Sequence, residues 1–326
     1  MAKICLAVKR KPEYEAVVNA KLPGYRLTWL EDLSEQERRQ EILGCDALVV
    51  TMLTKELTFD EKGLLNRVPF VQTIAAGADQ FDFSAVPHDA LICSNIGGWA
   101  PTMAEHALAM AFSCLRKLGD QKEAMKDGTY HRLGWGLRRI RGKRVLIVGY
   151  GGIGRACREV FAAQGCLVAA VSRHKPTDPL LDGGAWDMSG FLPALSQADI
   201  IIACLPSTTA TAELFGQPPF QAMKENATFI NLARAALVDR QALLKKLLDC
   251  PEFHAAIDPW WEEEHVWDGS DPLIRLPNVV ASCHTSFDSE TSWPEAIGMA
   301  LDNLIKYLNG EPYVGRVNFS EYVKEA

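Results

Sequence analysis

The chain has 326 residues, which is long for a single hydrophobic core and predicts two domains. Hydrophobic residues make up 48% and charged residues 23%, and the formal net charge of −7 argues against non-specific nucleic-acid binding, which needs a basic face. The nine cysteines have no paired spacing, no segment is long enough to span a bilayer, and the basic stretch Lys9–Lys11 comes too early for a signal peptide. We therefore expect a cytoplasmic protein with reduced cysteines and neither a membrane nor a nucleic-acid partner.

The N-terminal part of the chain alternates short apolar runs with polar stretches. The apolar runs are Ile4–Val8, Ala47–Thr51, Phe70–Ala75 and Leu91–Cys93. This rhythm predicts a small open parallel sheet with helices on its faces. In the turn AAGADQFD after the third run, backbone N–H groups near Gly77 would either bind an anion or belong to a plain strand-to-helix turn.

A crossover between domains is predicted where Gly97, Gly98 and Pro101 fall close together. Apolar residues then recur at helical spacing from Ala104 to Leu118, which predicts a long amphipathic helix that stops at Gly119. The residues that follow, 120–143, are polar and basic.

The segment RVLIVGYGGIG, residues 144–154, predicts a buried strand followed by a glycine turn. The turn has the spacing G-x-G-x-x-G, in which one glycine allows the bend, one lets a diphosphate approach, and one lets the next helix pack closely. That helix is expected at Ile153–Gln164, with its N-terminus toward the phosphates. An ordinary glycine turn is the alternative. The predicted dinucleotide-binding residues are Gly149, Gly151, Gly152, Ile153 and Gly154.

A doubly wound sheet follows strand by strand, with a poorly marked third strand near Trp186. The other predicted strands are Leu167–Val171, Ile200–Leu205, Thr228–Leu232, Ala255–Ile257 and Val279–Ser282. Strand ends of an open sheet face the ligand crevice, so the ends of two of these strands are expected to contact the cofactor. The residues concerned are Leu205, Pro206, Leu232 and Ala233. Apolar residues at helical spacing from Ile297 to Leu308, followed by Gly310, predict a C-terminal helix that returns to the first domain.

The end of the strand Leu167–Val171 indicates which nicotinamide cofactor binds. An NAD site carries an Asp or Glu there, about 20 residues past the glycines, for the ribose 2′-OH. The chain has no acidic residue from Val160 to Thr177, and the strand is followed by Ser172, Arg173 and His174. An arginine there can fork onto a 2′-phosphate, so the sequence predicts NADP(H) over NAD(H). A solvated basic turn is the alternative.

Three polar side chains after later strands suit hydride transfer to a 2-oxo acid. Arg234, Glu263 and His284 each follow a predicted strand, so they could converge at one crevice. Taken singly, they have plainer interpretations as a surface arginine, a solvated acid and a core histidine.

The chain resembles the D-isomer-specific 2-hydroxyacid dehydrogenases, which include glyoxylate/hydroxypyruvate reductases and phosphoglycerate dehydrogenase. INLARAALVDRQAL is similar to the family pattern N-x-x-R-G-x-x-V-D-x-x-A-L, DPWWEE to D-V-F-x-x-E, and CHTS to the segment that carries P-H. AAGADQFD is similar to the family's G-V-D loop, and SNIGG with AEH to its hinge.

The resemblance implies a role for each matching residue. Arg234 would bind the substrate and polarise its carbonyl, His284 would donate the proton, and Glu263 would orient the imidazole. Asp258 would lie on the nicotinamide side of the cofactor. The substrate carboxylate would meet the backbone at Ala76 and Gly77, with Asn95 at the domain junction. No metal is expected.

We therefore expect an α/β protein of two doubly wound parallel-sheet domains. A Rossmann cofactor domain, residues 98–289, would be inserted into a flavodoxin-like substrate domain, residues 1–97 and 290–326. The resemblance also implies a homodimer. The expected reaction is NADPH-dependent reduction of a small 2-oxo acid such as glyoxylate or hydroxypyruvate. The rivals are phosphoglycerate or phosphite dehydrogenase chemistry and a dinucleotide-sensing scaffold similar to the C-terminal-binding corepressors.

Several positions depart from the family pattern, among them Trp260 and Trp261, which are bulkier than the usual pair, and together they leave the choice of 2-oxo acid open. Ala235 and Cys283 stand where the family has a glycine and a proline, and Gly97 and Glu264 replace prolines. None of these changes removes a catalytic group.

Overall fold

The structure, a computed structural model, describes residues 1–185, 188–261 and 269–323. The chain divides into two compact units, Met1–Trp99 with Asp288–Ala326 and Ala100–Phe287, which we call the first and the second unit. The second unit is thus an insertion within the sequence of the first. Among the described residues, no helix is both long enough and apolar enough to cross a membrane.

The first unit is built on a parallel sheet of five strands. The strands are β1 (Lys3–Ala7), β2 (Arg26–Trp29), β3 (Ala47–Val50), β4 (Val71–Thr73) and β5 (Ile92–Cys93). The helices are α1 (Pro12–Lys21), α2 (Glu35–Leu43), α3 (Leu53–Glu56), α4 (Phe59–Lys62) and the C-terminal helix (Ser292–Leu308). The strand order β2-β1-β3-β4-β5 is flavodoxin-like. The apolar runs predict every strand except β2, which they miss because only Trp29 of its four residues is buried.

The second unit is built on a parallel sheet of seven strands. The strands are β6 (Arg144–Val148), β7 (Leu167–Val171), β8 (Gly184–Ala185), β9 (Ile200–Ala203), β10 (Thr228–Asn231), β11 (His254–Ile257) and β12 (Val279–Ala281). The helices are α5 (Ala100–Arg116), α6 (Leu118–Lys126), α7 (Gly152–Ala163), α8 (Phe191–Gln197), α9 (Gln217–Ala222) and α10 (Arg240–Asp249).

The strand order of the second sheet is β12-β11-β10-β9-β6-β7-β8, so the order reverses between β6 and β9. Ligands of open sheets bind at such a switch point, outside the carboxyl ends of the strands. The predicted fold class, two doubly wound parallel-sheet domains, is confirmed. The poorly marked third strand is the two-residue β8, and Trp186 beside it lies outside the described residues.

Helices support the second sheet on both faces. On one face, α8, α9 and α10 pack through buried aromatic rings, among them Phe215, Phe220, Phe229 and Phe253. On the other face, α5 and α7 pack against each other and against the strands. The loops at the carboxyl ends of these strands therefore extend from a sheet that is packed on both faces.

The helix ends match the sequence predictions in two cases and differ in one. The C-terminal helix and α7 are confirmed, and Gly310 follows the former with φ +72°. The predicted stop at Gly119 is wrong, because Lys117 turns the chain with φ +49° and Gly119 lies inside α6. Leu118 continues the apolar spacing in the sequence but is 66% exposed, since α6 buries none of its residues.

Candidate active site

The glycines of the turn after β6 have different structural roles. Gly149 has φ +96°, and a Cβ there would lie 2.7 Å from the backbone nitrogen of Leu205. A Cβ on Gly154 would overlap the carbonyl oxygen of Gly149, so only glycine lets α7 pack this closely on the turn. Gly151 is exposed, and no described atom beyond its chain neighbours lies within 4 Å of its Cβ position. Packing and backbone conformation therefore do not require a glycine at residue 151.

The N-terminus of α7 suits an anion. Gly151 is its N-cap, no side chain caps the helix, and the first turn, which includes Gly152 and Ile153, has no acidic residue. The N–H groups of Gly151 and Gly152 donate to no acceptor among the residues that the structure describes. Unpaired N–H groups and the positive end of the helix dipole attract phosphate oxygens, and Gly151 leaves their approach open. These residues therefore fit the diphosphate of a dinucleotide.

The turn after β7, residues Ser172–Lys175, is basic and is called here the Arg173 turn. Arg173, His174 and Lys175 are all exposed, and the hydroxyl of Ser172 donates to the carbonyl of His174. Three consecutive basic side chains thus stand at the strand end where the sequence predicts cofactor discrimination.

A polar cluster ties the segment beyond the Arg173 turn to the glycine turn. The Tyr150 hydroxyl donates to Oδ2 of Asp178 at 2.6 Å, and Arg158 of α7 donates to the same oxygen from Nε (3.0 Å) and Nη2 (2.7 Å). The hydrogen bonds from Tyr150 and Arg158 lower the pKa of Asp178 to about 2. Asp178 is therefore ionised at neutral pH and anchors this segment.

The segments after β9 and β10 contribute the next strand ends. Leu205 is half-buried beside Gly149, and Pro206 is exposed. After β10, Leu232 is buried and Ala233 is half-buried. These apolar residues lie at the carboxyl edge of the sheet, as the glycine turn does.

Arg234 lies in a loop whose shape depends on Asn231. The buried Asn231 side chain accepts a hydrogen bond from the N–H of Ala233 (3.0 Å) and donates to the carbonyl of Arg234 (2.8 Å). Arg234 is half-buried, and its Nη1 donates to the carbonyl of Ala233 at 2.7 Å. The loop thus holds a guanidinium at the carboxyl end of β10.

The loop Ser282–Ser286, called here the His284 loop, is tied to a fully buried carboxylate. Oδ1 of Asp258 accepts from the Ser282 hydroxyl (2.5 Å) and the Thr285 N–H (2.9 Å), and Oδ2 accepts from the Ser286 N–H (3.1 Å). The N–H of His284 donates to the carbonyl of Asp258 at 3.1 Å. His284 has φ +54°, a conformation that a residue with a side chain keeps only where its surroundings impose it.

Two more side chains reach this loop, and the sequence does not mark either of them as a site residue. Nε2 of His106, on α5, lies 3.1 Å from the Ser282 hydroxyl oxygen and 3.9 Å from Oδ1 of Asp258. Nε1 of Trp260 donates to the carbonyl of Ser282 at 3.1 Å. Both residues belong to matched segments, AEH and DPWWEE, but nothing in the sequence indicates that they meet at one serine.

In the first unit, the bend after β4 has unpaired backbone donors. The N–H groups of Ala76 and Gly77 find no acceptor within the described ranges. Asn95 is 3% exposed, and its Nδ2 donates to the carbonyl of Ile74 (3.2 Å) and to a carbonyl of the C-terminal helix (2.8 Å). Nε1 of Trp99 donates to the same Ile74 carbonyl at 2.9 Å. The amide nitrogen of Asn95 is therefore used to shape this bend.

Among the positions that depart from the family pattern, Ala235, Gly97 and Cys283 lie within the described residues. Ala235 begins a short 3-10 turn without a positive φ, so a glycine is not required there. Gly97 has φ +90°, which the ring of a proline cannot adopt. Cys283 is exposed. Glu263 and Glu264 lie outside the described residues.

Comparison with known proteins identifies the family. Residues 108–286 match the model of the NAD binding domain of D-isomer specific 2-hydroxyacid dehydrogenases. Glyoxylate/hydroxypyruvate reductase B of Klebsiella pneumoniae is 31% identical over 268 residues, which are 79% of this chain and 81% of that protein. The chloroplastic D-3-phosphoglycerate dehydrogenase 2 of Arabidopsis thaliana is 28% identical over 78% of this chain, which spans 40% of that longer protein.

A solved structure has the same fold. The NAD complexed form of a D-isomer specific 2-hydroxyacid dehydrogenase from Lactobacillus delbrueckii ssp. bulgaricus superimposes with a TM-score of 0.79. It is 24% identical and covers 97% of this chain and 100% of its own. With the family model and the Klebsiella relative, the identification is complete: the chain belongs to the D-isomer specific 2-hydroxyacid dehydrogenases and is an NAD(P)-dependent dehydrogenase.

Proposed function

We propose that the protein reduces a small 2-oxo acid of the glyoxylate or hydroxypyruvate type with NADPH. The observation that carries this proposal is the alignment of groups along one sheet edge. The glycine turn, the loop of Arg234 and the His284 loop follow β6, β10 and β12 of the same parallel sheet. The Klebsiella relative, a glyoxylate/hydroxypyruvate reductase, supports the choice of substrate class.

The cofactor is proposed to bind across the switch point of the second sheet. Gly149, Gly151 and Gly152, with Ile153 and Gly154, would hold the diphosphate at the N-terminus of α7. Leu205, Pro206, Leu232 and Ala233 would line the cofactor beyond it, and the backbone around Asp258 would adjoin its nicotinamide end. The bound dinucleotide supplies the hydride.

Arg173 is proposed to select NADP(H) by a charge-assisted hydrogen bond to the 2′-phosphate, with Ser172 and His174 beside it. Two observations support this proposal. The Arg173 turn is basic and exposed, and the first acidic residue after it, Asp178, already accepts a hydrogen bond from Arg158. A carboxylate at the strand end would instead repel a phosphate.

The substrate carboxylate is proposed to bind the N–H groups of Ala76 and Gly77, in the bend that Asn95 shapes. Arg234 would hold the carboxylate and the carbonyl oxygen through paired donors and polarise the carbonyl. His284 would give a proton to the forming alkoxide, and Glu263 would orient the imidazole. Arg234 and His284 would act on the carbonyl oxygen, where charge develops during reduction and a fixed donor helps most.

A phosphorylated 2-oxo acid is the second candidate substrate, because the Arabidopsis relative is a phosphoglycerate dehydrogenase. A phosphate would call for cations near the substrate carboxylate. The bend AAGADQFD has no lysine or arginine, which favours the unphosphorylated acid.

The proposal includes a homodimer in the cytoplasm. Helix α6 buries no residue, and the exposed apolar side chains of Leu118, Met125, Tyr130 and Leu133 suit a second copy of the chain. All nine cysteines are free, as expected in a reducing compartment. Sedimentation equilibrium tests the assembly, and a monomeric mass would contradict it.

A substrate panel tests the activity. Purified protein with NADPH is assayed on glyoxylate, hydroxypyruvate, pyruvate and 3-phosphohydroxypyruvate, and kcat/KM is compared. We expect the highest values for glyoxylate or hydroxypyruvate. Highest activity on the phosphorylated acid would favour the second candidate, and no loss of NADPH with any of them would refute the proposal.

A further inference from the structure

We propose that Trp260 and His106 are positioning residues that hold the His284 loop through Ser282, so that the imidazole of His284 is presented in one orientation. This inference rests on the proposed function, in which His284 is the proton donor. Neither side chain is needed to contact the substrate or the cofactor. Their effect passes through the backbone of the loop.

The first interaction that fixes the loop is a chain of two hydrogen bonds whose donors and acceptors can be assigned. The Ser282 hydroxyl has one hydrogen, and the 2.5 Å contact with the Asp258 carboxylate uses it, because a carboxylate only accepts. Nε2 of His106, 3.1 Å from the Ser282 oxygen, must then be the donor of that contact. The order is therefore His106 to Ser282 to Asp258, and it requires a hydrogen on Nε2 of His106.

The second hold acts on the backbone of Ser282. Nε1 of Trp260 donates to the Ser282 carbonyl at 3.1 Å, and the Ser282 N–H donates to the carbonyl of Ile257 at 3.1 Å. Trp260 is 7% exposed, so its ring has little freedom to move away. The family pattern D-V-F-x-x-E has a phenylalanine here, which could not make this hydrogen bond. The hydrogen bond from Trp260 to Ser282 thus arises where this chain departs from the family pattern.

The position of Ser282 matters because His284 follows two residues later with φ +54°. A left-handed backbone is unfavourable for a residue with a side chain, so the loop would relax if its anchors were weakened. With Ser282 engaged through its hydroxyl, carbonyl and N–H, and Thr285 and Ser286 bound to Asp258, the loop is anchored on both sides of His284.

Adjacent tryptophans provide the test and its matched control. Trp260→Phe removes the donor to Ser282, whereas Trp261→Phe removes a donor to the carbonyl of Val238, 3.3 Å away and outside the loop. Amide hydrogen exchange of Thr285 and Ser286 is measured without substrate, and kcat and KM are measured with glyoxylate and NADPH. For Trp260→Phe we expect faster exchange and a kcat about fivefold lower, as for the loss of one neutral hydrogen bond, with KM nearly unchanged. Trp261→Phe should match the wild type.

His106 provides an independent test that does not depend on the tryptophan variants folding. His106→Leu removes the donor to Ser282 and should lower kcat about as much, again at nearly constant KM. His106→Gln keeps an N–H donor of similar reach and should restore most of the rate. A glutamine variant no better than the leucine variant would overturn the role of His106.

The outcomes separate this inference from the proposed function. Equal exchange and equal kcat in the two tryptophan variants would overturn the hold by Trp260, even in an enzyme that reduces glyoxylate. A wild type that reduces no 2-oxo acid, with faster exchange in Trp260→Phe alone, would refute the proposed function and support the hold on the loop.

Discussion

The His284 loop and the Arg173 turn follow two strands of the same sheet, β12 and β7, but they are supported in opposite ways. The His284 loop is fastened by the buried Asp258 and by donors from α5 and from the segment after β11. The Arg173 turn exposes three consecutive basic side chains, and its anchor, Asp178, lies beyond it. The proposed proton donor, His284, must be held in one orientation, whereas a side chain proposed to bind a phosphate, Arg173, must be accessible.

The largest effect is expected in the His284 loop. His284→Ala removes the proposed general acid, so kcat for glyoxylate should fall by about 10²–10⁴. NADPH binding, measured by fluorescence titration, should be retained because the glycine turn is untouched. Turnover close to that of the wild type would show that His284 is not the proton donor.

A smaller effect is expected in the Arg173 turn. Loss of a charge-assisted hydrogen bond costs about 1.5–3 kcal/mol, so Arg173→Ala should lower kcat/KM for NADPH by roughly ten- to a hundredfold. The value for NADH should hardly change, which makes NADH the internal control. A wild type that prefers NADH would contradict the assignment of Arg173.

The glycine turn also contains one closely packed residue, Gly154, and one exposed residue, Gly151. Gly154→Ala forces a Cβ onto the Gly149 carbonyl and should lower the free energy of unfolding by about 1–3 kcal/mol. Gly151→Ala meets open space, so thermal denaturation should show a change of less than about 0.5 kcal/mol, while KM for NADPH rises. Normal NADPH binding by Gly151→Ala would mean that the diphosphate does not approach there.

The smallest effect is expected at the anchor of the Arg173 turn. Hydrogen bonds from Tyr150 and Arg158 lower the pKa of Asp178 to about 2, below the usual carboxyl value. A lowered pKa makes the anchor complete above the unfolded-state pKa and lost only as pH falls toward about 2. The contribution of this anchor to the free energy of unfolding should therefore stay constant between about pH 5 and 8. In Asp178→Asn the preference for NADPH over NADH at pH 7 should fall a few-fold, and a preference unchanged from the wild type would show that Asp178 does not support the turn.

The sequence predicts local features of this protein better than contacts between residues that are far apart in the chain. The glycine turn is predicted because its glycines are neighbours in the chain, and most strands are predicted because most of their residues are buried and apolar. β2 is missed because three of its four residues are not buried, and the stop at Lys117 is missed because the apolar spacing continues to Leu118. The meeting of His106 with Ser282, 176 residues apart, depends on how α5 packs against the sheet, which no local pattern records.

Hydride transfer from NADPH to a 2-oxo acid can be followed in one experiment with an isotope label. Glyoxylate is incubated with the protein and NADPH that carries deuterium at both C4 positions, and the product is analysed by mass spectrometry. If hydride is transferred to the carbonyl carbon, the product is 2-hydroxyacetate with one deuterium on C2, formed at a rate that His284→Ala reduces. Product without deuterium, or no product while the cofactor is bound, would contradict this transfer.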